Sequence, residues 1–497
     1  MACRGPVPGG RGGTGPLRGR RHPLLARTGD LACRFPDTPR SGDVQGVCGE
    51  RGGRAPRVAR MPTNTLTTET KASGAPAVPA ARMGWLDALR GVAALVVVFE
   101  HSLDVLLPEV RRNVSPWFDF GRYGVFLFFL ISGYVVPFSL VRRGSVRTFW
   151  IGRVFRLYPA WFVSVGLMLA LGVSGVSWGL PDGLGDRPWI STVAHLTMLQ
   201  DLLGVPNVVN VFWTLSYEMV FYLLITAMFI AGVKGASARV SLGFGVAAAM
   251  LGVSLPSGLL ATRWPGATPM VAAFALAAGI AAMVSGRPAV RRAGVAIVAA
   301  LALTLLVLDS RIGGVESLCI IATMFAGTAV RGIQDGRLRA RPAAAMVALV
   351  PVLTLLAGLR PPATWAEHGY PQSLGVDWSI GVAAAWLTFL GGLALRHRRM
   401  PRALMWLGLV SYSVYLLHPM IVQTVWRVAG ERDAMPLWVR LAWEGVLLAG
   451  VLVAAGLAHR YVERPAQRLG RRLTRRAARA PEPPAEPPAP LPAPAVP

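Results

Sequence analysis

Long apolar segments alternate with short polar connections between residues 83 and 465. Most of these segments hold the roughly 20 apolar residues that a helix needs to cross a hydrocarbon core of about 30 Å. About twelve can be counted, beginning near residues 85, 124, 153, 212, 238, 268, 291, 316, 343, 378, 404 and 438. The pattern predicts an all-α polytopic integral membrane protein, a bundle of about 10–12 transmembrane helices.

Both ends of the chain lack this pattern. Residues 1–82 are rich in Gly, Pro, Ala and Arg, and residues 466–497 join a basic stretch, RLGRRLTRRAAR, to a Pro/Ala-rich tail. Such compositions predict disordered tails on either side of one transmembrane domain at residues 83–465. The first tail shows no apolar core of a cleaved signal peptide, and Met61 and Met83 are candidates, besides Met1, for the start of translation.

The basic residues indicate how the helices are oriented. Arg142 and Arg143 lie in the second connection and Arg396 and Arg398 in the tenth, and the other even-numbered connections are basic as well. The odd-numbered connections carry fewer basic residues and several acids. By the positive-inside rule, both termini are expected in the cytoplasm and the chain in the cell (cytoplasmic) membrane as a multi-pass protein.

Composition argues against several other classes of protein. The chain has 53% hydrophobic residues, and its net charge of +26 lies in the tails and short loops. This distribution favours contact with the lipid bilayer over nucleic-acid binding. The 4 cysteines form no CxxC pair and no Cys/His cluster, so neither a disulfide framework nor a metal site is expected.

Two polar residues share one face of the first apolar segment. Arg90 and His101 are 11 residues apart, which is nearly three helical turns and about 16 Å along the axis. A cation and an imidazole are costly to keep in hydrocarbon, so such residues are functional candidates. Glu100 points to a different face and is interpreted as a structural partner.

Two further segments carry ionisable groups. Glu218 lies about two turns from the start of the fourth segment, with Tyr222 one turn further on the same face. Counted from the segment ends, His101, Glu218 and His418 are expected at similar depth in one shared polar cavity. The alternatives are that each histidine is held by a neighbouring carbonyl or hydroxyl group, and that Glu218 is an ion-pair partner that holds helices together.

The eleventh segment carries a polar stripe. In SYSVYLLHPMIV, the residues Ser411, Tyr415 and His418 follow at i, i+4 and i+7 on an otherwise apolar helix. Ser411 and Tyr415 are therefore candidates for substrate contacts beside His418, as is Tyr222 in the fourth segment.

The third segment begins with two arginines. Arg153 and Arg156 lie at i and i+3 in WIGRVFRLYPAWF, and basic residues at a helix start commonly serve only to set topology. Guanidinium groups also offer planar forks of donors to phosphates. Together with Arg90, they are expected to form a cationic patch at the cytoplasmic surface that holds an anionic ligand.

Six motifs in order resemble the signatures of the membrane-bound acyltransferase-3 family. They are LDALRGVAALVVVFEH, GVFLFFLISGYVV, RVFRLYP, WTLSYEMVFYLL, SYSVYLLHP and YVERP. Arg90 and His101 match the family's Arg-x10-His motif, and Arg153 with Arg156 matches its Arg-x-x-Arg motif. One departure is Met219 after Glu218, where many members have a second acid.

The resemblance implies an O-acyltransferase that moves an acyl group, acetyl or another short one, from acyl-CoA to a hydroxyl group of a carbohydrate. The acceptor is expected on a cell-surface glycan or a secreted glycosylated metabolite. Arg90, Arg153 and Arg156 would hold the phosphates of CoA, and His101 would deprotonate the acceptor hydroxyl. Acyl-CoA is then a co-substrate, and no cofactor or metal is expected.

The remaining roles are shared among several candidates. Glu218 would orient the imidazole or bind the sugar, and His418 is a further catalytic candidate. The donor to the oxyanion would be one of three hydroxyl groups, which belong to Ser132, Tyr222 and Tyr415.

Two other functions compete with this one. A secondary transporter or flippase for a glycan or small metabolite would also carry His, Glu and Arg inside the membrane. A non-catalytic scaffold in an envelope complex predicts that the loss of His101 has no effect.

Overall fold

The computed structural model describes residues 83–176, 180–310, 313–360, 374–430 and 435–479. The predicted tail at residues 1–82 and the Pro/Ala-rich end at 480–497 lie outside these residues. The described residues form sixteen α-helices: α1 (Gly84–Leu106), α2 (Pro108–Val114), α3 (Phe120–Arg143), α4 (Val146–Val173), α5 (Pro188–Thr197), α6 (Trp213–Ile230), α7 (Ser237–Leu251), α8 (Leu259–Arg263), α9 (Ala267–Met283), α10 (Pro288–Leu308), α11 (Gly314–Gln334), α12 (Ala340–Gly358), α13 (Leu374–Ala394), α14 (Arg402–Ala429), α15 (Leu437–Ala458) and α16 (Arg464–Arg479).

The helices confirm the predicted all-α membrane architecture. Every apolar segment of the sequence is a helix, and the described residues contain no strand. Within the described ranges, ten helical stretches are long and apolar enough to cross a membrane, and α1 with α2 forms an eleventh, bent by 114° between them. Helix α9 is apolar but shorter. The orientation of the termini stays a prediction.

Glycines bring the backbones of the central helices together. A methyl group at Gly408 of α14 would overlap the carbonyl oxygen of Asp87 in α1, and one at Gly91 would meet Leu404 and Leu407. In the same way, Gly133 of α3 lies against the backbone of α11. Small residues at such crossings let membrane helices pack closely. The close contact of α1 with α14 places the polar faces of the two helices side by side.

The chain after the last span differs from its prediction. Residues 466–479 were expected to be disordered, but they belong to α16, which follows a π-helical turn at His459–Glu463. Gly470 of α16 packs against Phe155 of α4. This contact with the bundle is the physical reason that the basic stretch is ordered, and its composition alone does not show it.

Candidate active site

Three adjoining cavities lie within the helix bundle. The inner cavity, of about 370 Å³, lies at the end where α1 begins and α15 ends. The outer cavity, of about 500 Å³, lies at the opposite end, where α1 ends and α3, α6 and α13 begin. A narrow central cavity of about 80 Å³ lies between them. By the positive-inside prediction, the inner end would face the cytoplasm.

Shared side chains connect the three cavities into one row. Arg90, Arg156, Ser411 and Tyr412 line both the inner and the central cavity. Val125 and Tyr415 line both the central and the outer cavity. The row therefore passes from two arginines at its inner part to His101, which lines the outer cavity.

Arg90 and Arg156 are the arginines of the inner and central cavities, while Arg111, Arg112 and Arg122 line the outer one. The side chains of Arg90 and Arg156 are both half-buried. Arg90 Nη1 lies 3.7 Å from Asp87 Oδ1, one turn earlier in α1. Each guanidinium group has several N–H donors, so the contact with Asp87 leaves others available for an anionic ligand.

Arg153 does not join this patch, which corrects the prediction. Its side chain is buried and packs against the rings of Phe149 and Tyr222, with its Cζ atom 5.4 Å from each ring centre. Its guanidinium group donates to Tyr222 Oη and to Ser139 Oγ, each at 3.4 Å. Arg153 lies between helices, while Arg156, three residues later, faces the cavities.

Glu218 is linked to this buried arginine through Tyr222. The Tyr222 hydroxyl donates to Glu218 Oε1 and accepts from Arg153. Tyr222 is fully buried, whereas Glu218 lines the central cavity with Arg90 and Arg156. The chain of contacts holds the Glu218 carboxylate at the wall of the cavity.

His101 and His418 meet at the outer part of the bundle. Their ring centres are 4.9 Å apart in an edge-to-face arrangement. His101 Nδ1 lies 2.9 Å from the Val97 carbonyl oxygen, and His418 Nδ1 lies 3.1 Å from that of Val414. When each Nδ1–H donates to its carbonyl, the lone pair of the neutral ring is on Nε2.

The structure separates Glu218 from the two histidines. The hydroxyl groups of Thr214 in α6 and Tyr415 in α14 are 2.9 Å apart, which sets the register of the two helices. His418 lies three residues beyond Tyr415 toward the outer end, and Glu218 four residues beyond Thr214 toward the inner end. Seven residues amount to about 10 Å. The expectation of one cavity shared by all three groups is therefore wrong, and the Val97 carbonyl, not Glu218, orients His101.

The two other residues of the polar stripe line the row of cavities. Ser411 Oγ donates to the Gly408 carbonyl at 3.0 Å within its own helix. The Tyr415 hydroxyl donates to the Val211 carbonyl at 3.0 Å, so its proton is already used. The hydroxyl groups of Tyr222 and Tyr415, two of the three considered for the oxyanion, already donate hydrogen bonds. Ser132 lines the central cavity, and its hydroxyl has no hydrogen bond to any of the described residues.

Sequence reasoning missed a buried cluster at the inner cavity. His459 Nδ1 lies 3.0 Å from Glu463 Oε2, and Ser413 Oγ donates to the other carboxylate oxygen. His459 and Glu463 both line the inner cavity with Arg90 and Arg156. The available signal was the i, i+4 spacing of the His and Glu, the latter within the YVERP motif.

One family model and several curated proteins match this chain. The acyltransferase-3 family, described as an acyltransferase domain, matches residues 83–460. Nodulation protein 10 of Rhizobium leguminosarum bv. viciae is 35% identical over 155 residues, which cover 28% of this chain and 41% of that protein. No solved structure matches.

Two further relatives are named as acyltransferases. Acyltransferase MdmB of Streptomyces mycarofaciens is 28% identical over 172 residues, covering 34% of this chain and 39% of the relative. Peptidoglycan O-acetyltransferase OatA of Listeria monocytogenes is 27% identical over 162 residues, covering 30% and 24%. The chain thus spans less than half the length of each of these curated relatives.

Proposed function

This chain belongs to the acyltransferase-3 family, and on that premise we propose that it is an O-acyltransferase of the cytoplasmic membrane that uses acyl-CoA. It is a multi-pass membrane acyltransferase. The proposed acceptor is a hydroxyl group of a sugar, on a cell-surface glycan or a secreted glycosylated metabolite. The observation that carries the proposal is the row of three cavities with arginines at its inner part and His101 at its outer part.

The donor enters at the inner cavity. Arg90 and Arg156 are the cations that line it, and their planar forks of donors suit the phosphates of CoA. The central cavity, at about 80 Å³, is much smaller than the inner cavity, so the nucleotide part of CoA would stay in the inner cavity and its pantetheine arm would point into the central one. The arm would extend past Arg90 and carry the thioester toward Tyr415, where the central and outer cavities adjoin.

His101 acts as the general base. With Nδ1–H donated to the Val97 carbonyl, Nε2 takes the proton of the acceptor hydroxyl as its oxygen attacks the thioester carbonyl carbon. The new C–O bond forms and the C–S bond breaks. The imidazolium then returns its proton to the departing thiolate, which leaves as free CoA.

The oxyanion of the tetrahedral intermediate needs a hydrogen-bond donor on the side of the site where acyl-CoA lies. Ser132 lines the central cavity and is the hydroxyl best placed for this role. Glu218, on the same wall, balances the charge of Arg90 and Arg156 while the site is empty. Its carboxylate also repels phosphate groups, which keeps them out of the part of the cavity where the thioester would lie.

The names of two relatives support an acyl acceptor of this class. Listeria monocytogenes OatA is named as a peptidoglycan O-acetyltransferase, and MdmB as an acyltransferase. Acetyl or another short acyl group is the proposed cargo, because OatA is named as an O-acetyltransferase.

The experiment that tests the proposal measures thioester use directly. Full-length protein in detergent micelles is given [14C]acetyl-CoA and a panel of p-nitrophenyl glycosides, and labelled glycoside and free thiol are quantified. Equal amounts of labelled glycoside and thiol, both lost in His101→Ala, are expected. Absence of thiol release with every glycoside, together with His101-dependent uptake of a glycoside into proteoliposomes, would favour a transporter.

A further inference from the structure

A second polar depression opens beside the outer cavity. We call it the polar cleft; its volume is about 890 Å³, within the range of ligand pockets. It lies between the loops before α5 and α6, the turn before α8, the end of α10 and the outer part of α14. Its carboxyl and amide side chains are those of Asp182, Asp201, Asn207, Asn210, Asp309 and Gln423.

The charge of the polar cleft is opposite to that of the donor end. Three of its side chains are carboxylates, and none of the described residues that line it is Lys or Arg. Such a surface repels the phosphates of CoA. Carboxylate oxygens accept hydrogen bonds from hydroxyl groups, and amides both donate and accept, as sugar rings require.

Two buried side chains of the cleft have unused acceptors. Gln423 is 7% exposed and Asp309 is 1% exposed. Gln423 Oε1 and Asp309 Oδ2 have no hydrogen-bond partner among the described residues. Burial of an unpartnered polar atom costs about 1–3 kcal/mol, so a native structure that keeps two of them in one cleft points to a ligand with donors.

The cleft is held in shape by hydrogen bonds behind its surface. Asn207 donates to Asp201 Oδ1 at 2.9 Å and accepts from Gln200 Nε2 at 3.0 Å. His195 Nε2 accepts the backbone N–H of Val208 at 3.1 Å. Burial lowers the pKa of His195, which keeps the ring neutral and able to accept. The polar groups of this loop are therefore positioned before any ligand arrives.

The cleft is continuous with the site of the proposed chemistry. Asn210 lines both the polar cleft and the outer cavity that contains His101. Gln423 lies five residues after His418 in α14, about 7.5 Å along the helix. A ring bound in the cleft can therefore direct a hydroxyl group toward the outer cavity.

We propose that the polar cleft is the acceptor subsite and that it takes a hydroxyl-rich glycosyl unit without negative charge. The proposal rests on the proposed function, which it deepens by naming the charge class of the acceptor. Gln423 and Asn207 bind ring hydroxyl groups, and Asp182 at the exposed rim excludes anionic sugars.

The test uses two glycosides that differ in charge. Saturation-transfer difference NMR measures the binding of p-nitrophenyl β-glucoside and p-nitrophenyl β-glucuronide to the full-length protein in detergent micelles. We expect the wild type to bind the glucoside and not the glucuronide. Gln423→Leu is expected to weaken glucoside binding about tenfold, the effect of one lost hydrogen bond, without changing the KM for acetyl-CoA.

Two further variants make the result specific. Thr424→Val changes the residue next to Gln423 and should leave glucoside binding unchanged. Among the described residues, the Thr424 hydroxyl donates only to the Met420 carbonyl of its own helix. Asp182→Lys changes an exposed side chain, so folding is preserved, and it is expected to gain binding of the glucuronide. A gain of binding does not follow from misfolding.

The outcomes separate the subsite from the catalytic proposal. If no glycoside binds the wild type, or if neither Gln423→Leu nor Asp182→Lys alters binding while label is still transferred from acetyl-CoA, the subsite is wrong and the function stands. If glucoside binding depends on Gln423 but no label is transferred, the subsite stands and the acyl-transfer proposal fails.

Discussion

The imidazole rings of His101 and His418 are in edge-to-face contact, with ring centres 4.9 Å apart and planes at 71°. Only His101 lines the outer cavity, whereas His418 is fully buried. The Nε2 atom of His418 has no partner among the described residues. The geometry therefore favours His101 as the residue that contacts the substrate and His418 as the residue that positions the His101 ring.

Replacing the two histidines should have different effects. His101→Ala removes the base and should lower the transfer rate by at least about 10²-fold while acetyl-CoA still binds. His418→Phe keeps a flat ring against His101 and should lower the rate far less. Measured rates for the two variants, with the Kd for acetyl-CoA, check this. Equal losses of rate in both, with unchanged folding, would show that His418 itself carries a proton.

Replacing the two arginines of α4 should also have different effects. Arg156→Gln removes a cation that faces the inner cavity, so the KM for acetyl-CoA should rise by about 10-fold or more, as for the loss of a charge-assisted hydrogen bond. Arg153→Gln should mainly lower the midpoint of thermal unfolding, because it leaves Tyr222 without its buried donor. Arg142→Gln, at an exposed site, is the matched control.

A kinetic result could reverse these assignments. If Arg153→Gln raised the KM for acetyl-CoA more than Arg156→Gln did, the buried Arg153 would bind acetyl-CoA. The prediction that both arginines of the Arg-x-x-Arg motif bind its phosphates would then be correct.

The sequence predicted the architecture and only part of the site. Twelve apolar runs of near-spanning length leave few folds open, since backbone groups in lipid must be paired within helices. It could not distinguish Arg153 from Arg156, because an i, i+3 pair still diverges by about 60° around the helix. Which side chain turns to the cavity depends on Phe149 and Tyr222.

The predicted depth of Glu218 is wrong for a related reason. Counting residues from segment ends assumes that all helices begin in one plane. The contact of Thr214 with Tyr415 shows that α6 and α14 are staggered, which places Glu218 inward of the histidines. The i, i+4 spacing could have indicated the contact of His459 with Glu463, but it could not indicate the bond to Ser413, which is 50 residues away from Glu463 in sequence.

Close packing of α1 against α14 can be tested with a single methyl group. Gly408→Ala would push a side chain into the Asp87 carbonyl oxygen, and overpacking of this kind costs about 1–3 kcal/mol. The midpoint of thermal unfolding in detergent should fall, and transfer should fall with it because Arg90 moves. Gly391→Ala, where a methyl group meets nothing within 4 Å, is the control and should unfold like the wild type. A wild-type midpoint for Gly408→Ala would mean that the two helices can separate freely.

The carboxylate of Glu463 should stabilise the inner end of the bundle. It accepts from Ser413 Oγ and from His459 Nδ1, and it lies in the π-helical turn that leads into α16. In Glu463→Gln, the amide keeps only one acceptor, so one of the two buried donors loses its partner at a cost of about 1–3 kcal/mol. Ser413→Ala removes a single donor and should cost less. Thermal unfolding of both variants, beside the exposed control Asp186→Asn, measures this order, and a larger loss in Ser413→Ala would contradict it.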